Sequence, residues 1–113
     1  MSDRMRRVNS IVHEVIADEV EILKDPRLSM VTITEVVTAP NLRNAVVYFS
    51  TIDPAEGEAA REALQAAAPR LRRALGRQVR MKYTPALEFE VDAAVVGGER
   101  IDAILRRIAG EEE

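Results

Sequence analysis

The sequence contains no cysteine and no tryptophan, one histidine, two tyrosines and two phenylalanines. Without cysteine there is no disulfide, no thiolate nucleophile and no thiolate metal ligand, a composition compatible with a reducing compartment. The single histidine, His13, sits beside Ile11 and Val12, and no motif places a Ser, Cys or Asp to work with it, so it reads as structural. Four aromatic rings supply little for base stacking. Val46-Val47-Tyr48-Phe49 is too short, and in the wrong element order, for an aromatic RNA-binding sheet. None of the five glycines forms a phosphate-cradling loop of the P-loop or dinucleotide type. No apolar run approaches the roughly 20 residues that span a bilayer. The start, MSDRMRR, leads into an amphipathic pattern holding Glu14, Asp18 and Glu19, unlike a secretory signal. These absences lead us to expect a cytoplasmic protein that is not an enzyme.

What is present is a globular composition: 113 residues, 47% hydrophobic and 31% charged, enough for one domain with its own core. Apolar residues at Val8, Ile11, Val12, Val15, Ile16, Val20 and Leu23 follow the period of a helix with one buried face, which Asp25-Pro26 ends. Arg4, Arg6 and Arg7 lead that helix. They are positive where the helix macrodipole is also positive, which favours either an anionic partner or pairing of Arg7 with a nearby acid and fraying of the first residues. Two β-branched runs, Val31 to Val37 and Ala45 to Phe49, flank the turn-like Ala39-Pro40-Asn41 and read as paired strands. Asp53-Pro54-Ala55-Glu56 is a helix start, with Asp as N-cap, Pro in the first turn and Glu reaching back. The helix runs to Pro69, where a kink divides it from a second helix ending at Gly76. Val79, Met81 and Tyr83, then Leu87, Phe89 and Val91, alternate with polar residues as a third strand broken near Pro85. Ile101, Ile104, Leu105 and Ile108 suggest a short closing helix, and residues 111–113 a disordered acidic tail. The expected fold is α+β, in the order α-β-β-α-kink-α-β with a C-terminal helical extension, forming one domain over residues 1–110.

Charge is unevenly placed. The formal net charge is −3, yet the fourteen residues PRLRRALGRQVRMK (69–82) carry six of the sixteen basic residues and no acid. Phosphates respond to the field within about 8–10 Å, so local clustering matters more than net charge. At about 100° per residue, Arg70, Arg73 and Arg77 project within about 60° of one another, opposite Leu71 and Leu75. Arg72 lies on the same helix, and Arg80 and Lys82 extend the positive stretch along the third strand. Such an array suits RNA or DNA phosphates, since the guanidinium fork binds phosphate oxygens without needing a particular base. The other reading is a solvated helix face compensated by Glu56, Glu58 and Glu62, which would make the protein a protein-interaction module without direct RNA binding. Glu88, Glu90 and Asp92 share a strand face and could hold a hard cation, although solvated acidic faces are commoner.

Taken together, several short motifs resemble the bacterial ribosome-binding factor A family over Arg4 to about Leu105. They are Arg7-Val8-Asn9 with Ile11 and Glu14-Val15, Asp25-Pro26-Arg27, Val31-Thr32-Ile33-Thr34, Val47-Tyr48 with Ser50, Leu71-Arg72, and Pro85-x-Leu87-x-Phe89 followed by Asp92. The resemblance implies a type II KH-like fold and binding to the maturing 30S small ribosomal subunit, on 16S rRNA near the decoding region, with dissociation before translation. It further implies assistance to late rRNA processing, a contribution to growth in the cold, release aided by a ribosome-associated GTPase, no cofactor and a monomeric state. Members carry an Ala-x-Gly kink between the helices. The aligned residues here are Ala67, Ala68 and Pro69, so a proline without an N–H stands where the family has glycine.

Overall fold

The computed structural model describes residues 2–93. The elements are α1 (Asp3–Ile22), a 3-10 turn (Pro26–Leu28), β1 (Thr32–Thr38), β2 (Asn44–Ser50), a second 3-10 turn (Pro54–Glu56), α2 (Gly57–Gln78) and β3 (Ala86–Val91). The expected closing helix over Ile101, Ile104, Leu105 and Ile108 and the acidic tail at 111–113 lie outside the described residues.

The helix α1 starts at Asp3, ahead of the first apolar residue of the pattern, Val8, because Ser2 caps it. The Ser2 hydroxyl accepts a bond from the Met5 N–H at 3.2 Å, and Asp3 places a negative charge in the first turn, where the macrodipole favours it. Arg4, Arg6 and Arg7 are therefore helical. The acid that comes near is Asp3, and it approaches Arg6, at 3.8 Å, instead of Arg7.

The three strands form one sheet in the order β1-β2-β3. β1 and β2 are antiparallel, from Thr32 opposite Ser50 to Thr38 opposite Ala45, with a register shift between Ile33 and Glu35. That irregularity changes the phase of side-chain alternation. Ile33 and Val36 both reach the main core, while Val37 joins Val46 and Tyr48 in a separate apolar cluster. β2 and β3 are parallel, Asn44 opposite Ala86 and Phe49 opposite Val91, so the chain must cross over between them, and α2 makes the crossing. The core consists of Val12, Ile16 and Val20 from α1, Leu64, Leu71 and Leu75 from α2, and Val47, Phe49 and Phe89 from the sheet. This is the expected α+β, type II KH-like order.

Three features differ from the sequence reading. First, one continuous helix, α2, contains Pro69 in place of two helices. Pro69 cannot donate to the Gln65 carbonyl, a loss of ~3 kcal/mol in a helix interior. Beyond it, however, Leu71 and Leu75 are 1% and 0% exposed, and burying two leucines contributes ~3–6 kcal/mol, so the helix continues. Second, Gly76 does not stop it: α2 runs to Gln78, and the Val79 N–H bonds the Leu75 carbonyl. A side chain at Gly76 would meet the Thr84 hydroxyl at 3.2 Å, so this glycine permits a close approach instead of a cap. Third, residues 79–85 belong to no strand. Their alternation arises because Val79 and Met81 pack against the core as the chain returns from α2 to β3. A smaller difference concerns Glu56, which makes no capping bond, whereas Asp53 accepts from the Ala55 N–H at 2.9 Å as expected.

Both sheet edges are closed by helix side chains. On the β1 edge, Asn9 Oδ1 accepts from the Thr38 N–H at 2.8 Å, and His13 Nε2 lies 3.0 Å from the Ile33 carbonyl, to which it donates as the Nε2-protonated tautomer. On the β3 edge, Gln65 Nε2 donates to the Leu87 carbonyl at 3.0 Å, and its Oε1 accepts from the Phe89 N–H at 3.2 Å. Replacing Gln65 by Ala removes both bonds, and we expect a loss of about 1–2 kcal/mol, read as a lower urea midpoint at unchanged m-value. Pro69→Ala restores a donor to α2. It should raise stability by ~1–3 kcal/mol and the melting temperature by several degrees; an unchanged melting temperature would contradict that account.

Candidate nucleic-acid interface

The end of the sheet where β2 begins gathers basic residues from three segments: the β1–β2 loop, the last turns of α2 and the 79–85 connection. The loop presents Arg43. Leu42, just before it, has φ of 64°, a left-handed conformation that costs a non-glycine residue roughly 1–2 kcal/mol. Leu42 is 5% exposed, and its burial, worth ~1.5–3 kcal/mol, offsets that strain. Two further bonds hold Arg43: its N–H donates to Asn41 Oδ1 at 3.0 Å, and its carbonyl accepts from the Ala86 N–H at 2.9 Å. Its guanidinium carbon lies 4.0 Å from the centre of the Tyr83 ring, and Lys82 Nζ lies 5.6 Å from the same point.

Along α2, Arg70, Arg73 and Arg77 are exposed while Leu71, Ala74 and Leu75 are buried, as helical spacing predicts. Among the described residues none of these three arginines forms an ion pair. The acids expected to compensate them lie elsewhere: Glu58 pairs with Arg61 at 2.7 Å, and Glu62 acts on Arg27 and Arg61. The Glu58 carboxyl is held below its ordinary value by the hydrogen bond from Arg61.

Arg72 has a different position. Its Nε and Nη2 donate to the Thr84 carbonyl at 3.1 and 2.8 Å, tying the 79–85 connection to α2. Arg80 and Lys82 are exposed on that connection, not on a strand face as the alternation implied. Arg4, Arg6 and Arg7 are exposed on the first two turns of α1. Arg6 lines an open groove of about 360 Å³ with Asn9, His13 and Glu35 on the β1 side, whereas Arg70 lines a different groove.

The kink residues divide by exposure: Ala67 is half-buried, Ala68 buried and Pro69 exposed. Ala67 and Arg70 line a second groove of about 660 Å³, closed on its other side by Lys24, Asp25 and Arg27. Arg27 is committed there to Asp25, donating from Nη2 at 2.8 Å and from Nε at 3.1 Å. Those bonds, and then the bond from the Arg27 N–H, hold the Asp25 carboxyl below its ordinary value. The acidic residues of β3 do not assemble a cation site. Asp92 accepts from the Thr34 hydroxyl at 2.5 Å, and among the described residues no three carboxylate or imidazole groups come together. No helix among them is long and apolar enough to cross a membrane.

This arrangement can be set beside known proteins. A family model described as ribosome-binding factor A matches residues 4–105. The chain belongs to the ribosome-binding factor A family. The ribosome-binding factor A of Rubrobacter xylanophilus is 45% identical over 114 residues, covering 99% of this chain and 93% of that protein. The one from Geotalea uraniireducens is 38% identical, covering 100% and 94%. The crystal structure of ribosome-binding factor A from Thermus thermophilus superposes with a TM-score of 0.72 at 32% identity, covering 77% of this chain and 94% of that one. A homology model of the Thermus thermophilus protein, fitted into a cryo-EM map of a 30S–RbfA complex, is similar with a TM-score of 0.64 at 34% identity, covering 75% and 91%. The family is thus one of ribosome-binding factors and not a known enzyme family.

Within this ribosome-binding factor A fold, Arg43 is the basic residue that sequence reasoning missed. It stands alone between Leu42 and Asn44, and only the pairing of β2 with β3 carries it to Lys82. Arg72 is the converse, a member of the basic run that is spent on a backbone carbonyl. Arg72→Ala should leave α2 intact, cost about 1 kcal/mol or less, and accelerate amide exchange over residues 79–86; unchanged exchange there would contradict its tethering role.

Proposed function

We propose that this protein binds the 30S subunit through phosphates of 16S rRNA and assists its late maturation in the cytoplasm. The observation that carries the reading is the α2 face: Arg70, Arg73 and Arg77 are exposed and without an ion pair among the described residues. Three uncompensated guanidiniums on a rigid helix repel one another, and an RNA backbone relieves that repulsion while releasing condensed counterions. Lys82, Arg80 and Arg43 continue the positive surface beyond the end of α2. Arg4, Arg6 and Arg7 form a second basic patch on α1, and of the residues aligned with the family kink, Ala67, Ala68 and Pro69, it is Ala67 that lines the groove with Arg70 and Lys24.

The protein acts by differential affinity. It favours whichever conformation of the subunit matches its fixed arginine spacing, and it leaves when that conformation is lost. A ribosome-associated GTPase that changes the subunit's conformation would speed release by the same logic, and a factor of this kind matters most in the cold, where misfolded RNA escapes slowly. Neither step requires a cofactor or a second copy of the chain.

If about five phosphates are neutralised, log affinity for 30S subunits should fall with log salt with a slope of roughly −3.5 to −4.5. Arg70, Arg73 and Arg77 replaced together by Ala should remove co-sedimentation with 30S subunits in a sucrose gradient, with an unchanged circular dichroism spectrum. Retained co-sedimentation and a flat salt response would assign the arginines to solvation and the protein to a protein-interaction role.

A further inference from the structure

Tyr83 is one of only two tyrosines; it is 37% exposed, whereas Tyr48 is 6% exposed. Two cations converge on its ring, Arg43 at 4.0 Å and Lys82 at 5.6 Å, and neither forms an ion pair with any acid among the described residues. The ring alone could stabilise the two charges, since cations over aromatic faces are attracted by the ring quadrupole. It cannot neutralise them. Among the described residues no acid pairs with these cations, and beside them the corner offers a flat, partly exposed π surface extended by a planar guanidinium.

We infer that Tyr83 and Arg43 form a stacking site for one unpaired RNA base, with Lys82 and Arg43 meeting the phosphate beside it. A nucleotide supplies both partners at once, a π face for the ring and a negative charge for the cations. An acidic peptide supplies only the charge, and a base-paired helix keeps its base faces stacked and out of reach. The site is held ready before binding. Leu42 is buried in its left-handed conformation, Asn41 accepts from the Arg43 N–H, the Ala86 N–H holds the Arg43 carbonyl, and Arg72 grips the Thr84 carbonyl next to Tyr83. Two segments distant in sequence are thereby fixed against each other at the point where the ring and the guanidinium meet, so little order is lost on binding. The inference rests on the phosphate-binding reading above and deepens it. The α2 arginines bind backbone of any form, and the Tyr83 corner requires that one base be free.

The test compares a twelve-nucleotide single-stranded RNA with an abasic ribose-phosphate chain of the same length, using the full chain at low salt. The protein has no tryptophan, and Tyr48 is buried while Tyr83 is exposed, so contact quenching of tyrosine fluorescence by a bound oligomer reports on Tyr83. We expect the base-bearing oligomer to quench that fluorescence and to bind about tenfold more tightly than the abasic chain, within the range that base–aromatic stacking supplies. Tyr83→Ala should abolish the difference and leave abasic binding unchanged, and Tyr83→Phe should preserve it. Equal affinity of the wild-type protein for both oligomers, or quenching by a glutamate-rich peptide as strong as that by RNA, would overturn the inference and leave phosphate binding standing. Failure of both oligomers to bind the wild-type protein would sink the phosphate-binding reading as well.

Discussion

A three-stranded sheet has two edges for one interior strand, and each edge exposes backbone groups that must find partners. In this protein the helices supply them. Asn9 and His13, one turn apart on α1, take up the Thr38 N–H and the Ile33 carbonyl, and Gln65 on α2 bonds both the Leu87 carbonyl and the Phe89 N–H. An unpaired edge strand is a template for association with other chains, and polar side chains laid across it remove that template. Each helix is thereby fixed in rotation and height against its strand, beyond what non-directional apolar packing enforces. The orientation of everything on the outer faces of the helices follows from these bonds.

Because Gln65 and the buried stripe of Leu64, Leu71 and Leu75 turn one side of α2 inward, Arg70, Arg73 and Arg77 lie on its exposed side. Pro69 sits on the exposed side between the Gln65 staple and the arginines, and removes a donor that a glycine would keep. Parallel pairing of β2 with β3 has a further consequence: both strands begin at the same end, so the residues just before them, Arg43 and the 82–85 segment, must be neighbours. A β-hairpin between the same strands would have separated them. Acids near the arginines in sequence or space are engaged elsewhere, Glu58 with Arg61 and Asp25 with Arg27. A chain of net charge −3 can thus present a positive corner without contradiction, since the field that an RNA phosphate meets is local.

Much of the fold was legible in advance because its signals are local. The periods of α1 and α2, the β-branched runs of β1 and β2, and the Asp53-Pro54 start all depend on neighbours within a few residues. The readings that failed were those in which a local signal met a tertiary competitor. Pro69 normally divides a helix, but two buried leucines beyond it held α2 together. Gly76 normally ends one, but here it admits Thr84. Alternation at Val79, Met81 and Tyr83 normally marks a strand, yet two of those residues alternate because they pack on the core from a connecting segment. At the site, the stripe of Arg70, Arg73 and Arg77 was legible because it is a property of one helix. Arg72 and Arg43 were not, since the first answers to a carbonyl twelve residues away and the second to a ring forty residues away.

The sequence by itself determined which residue types were available: no thiol, one imidazole, few rings, and a concentrated run of arginine with its apolar counterface. It also determined the element order, since helical and strand periodicities arise from backbone geometry. Only the tertiary structure decided which cations remain uncommitted and which segments share a corner. Hydrogen-bond partners and sheet neighbours are set by the closing of the chain on itself, and residues far apart along it carry no mutual signal until the strands pair. Arg43 beside Tyr83 is a product of that pairing.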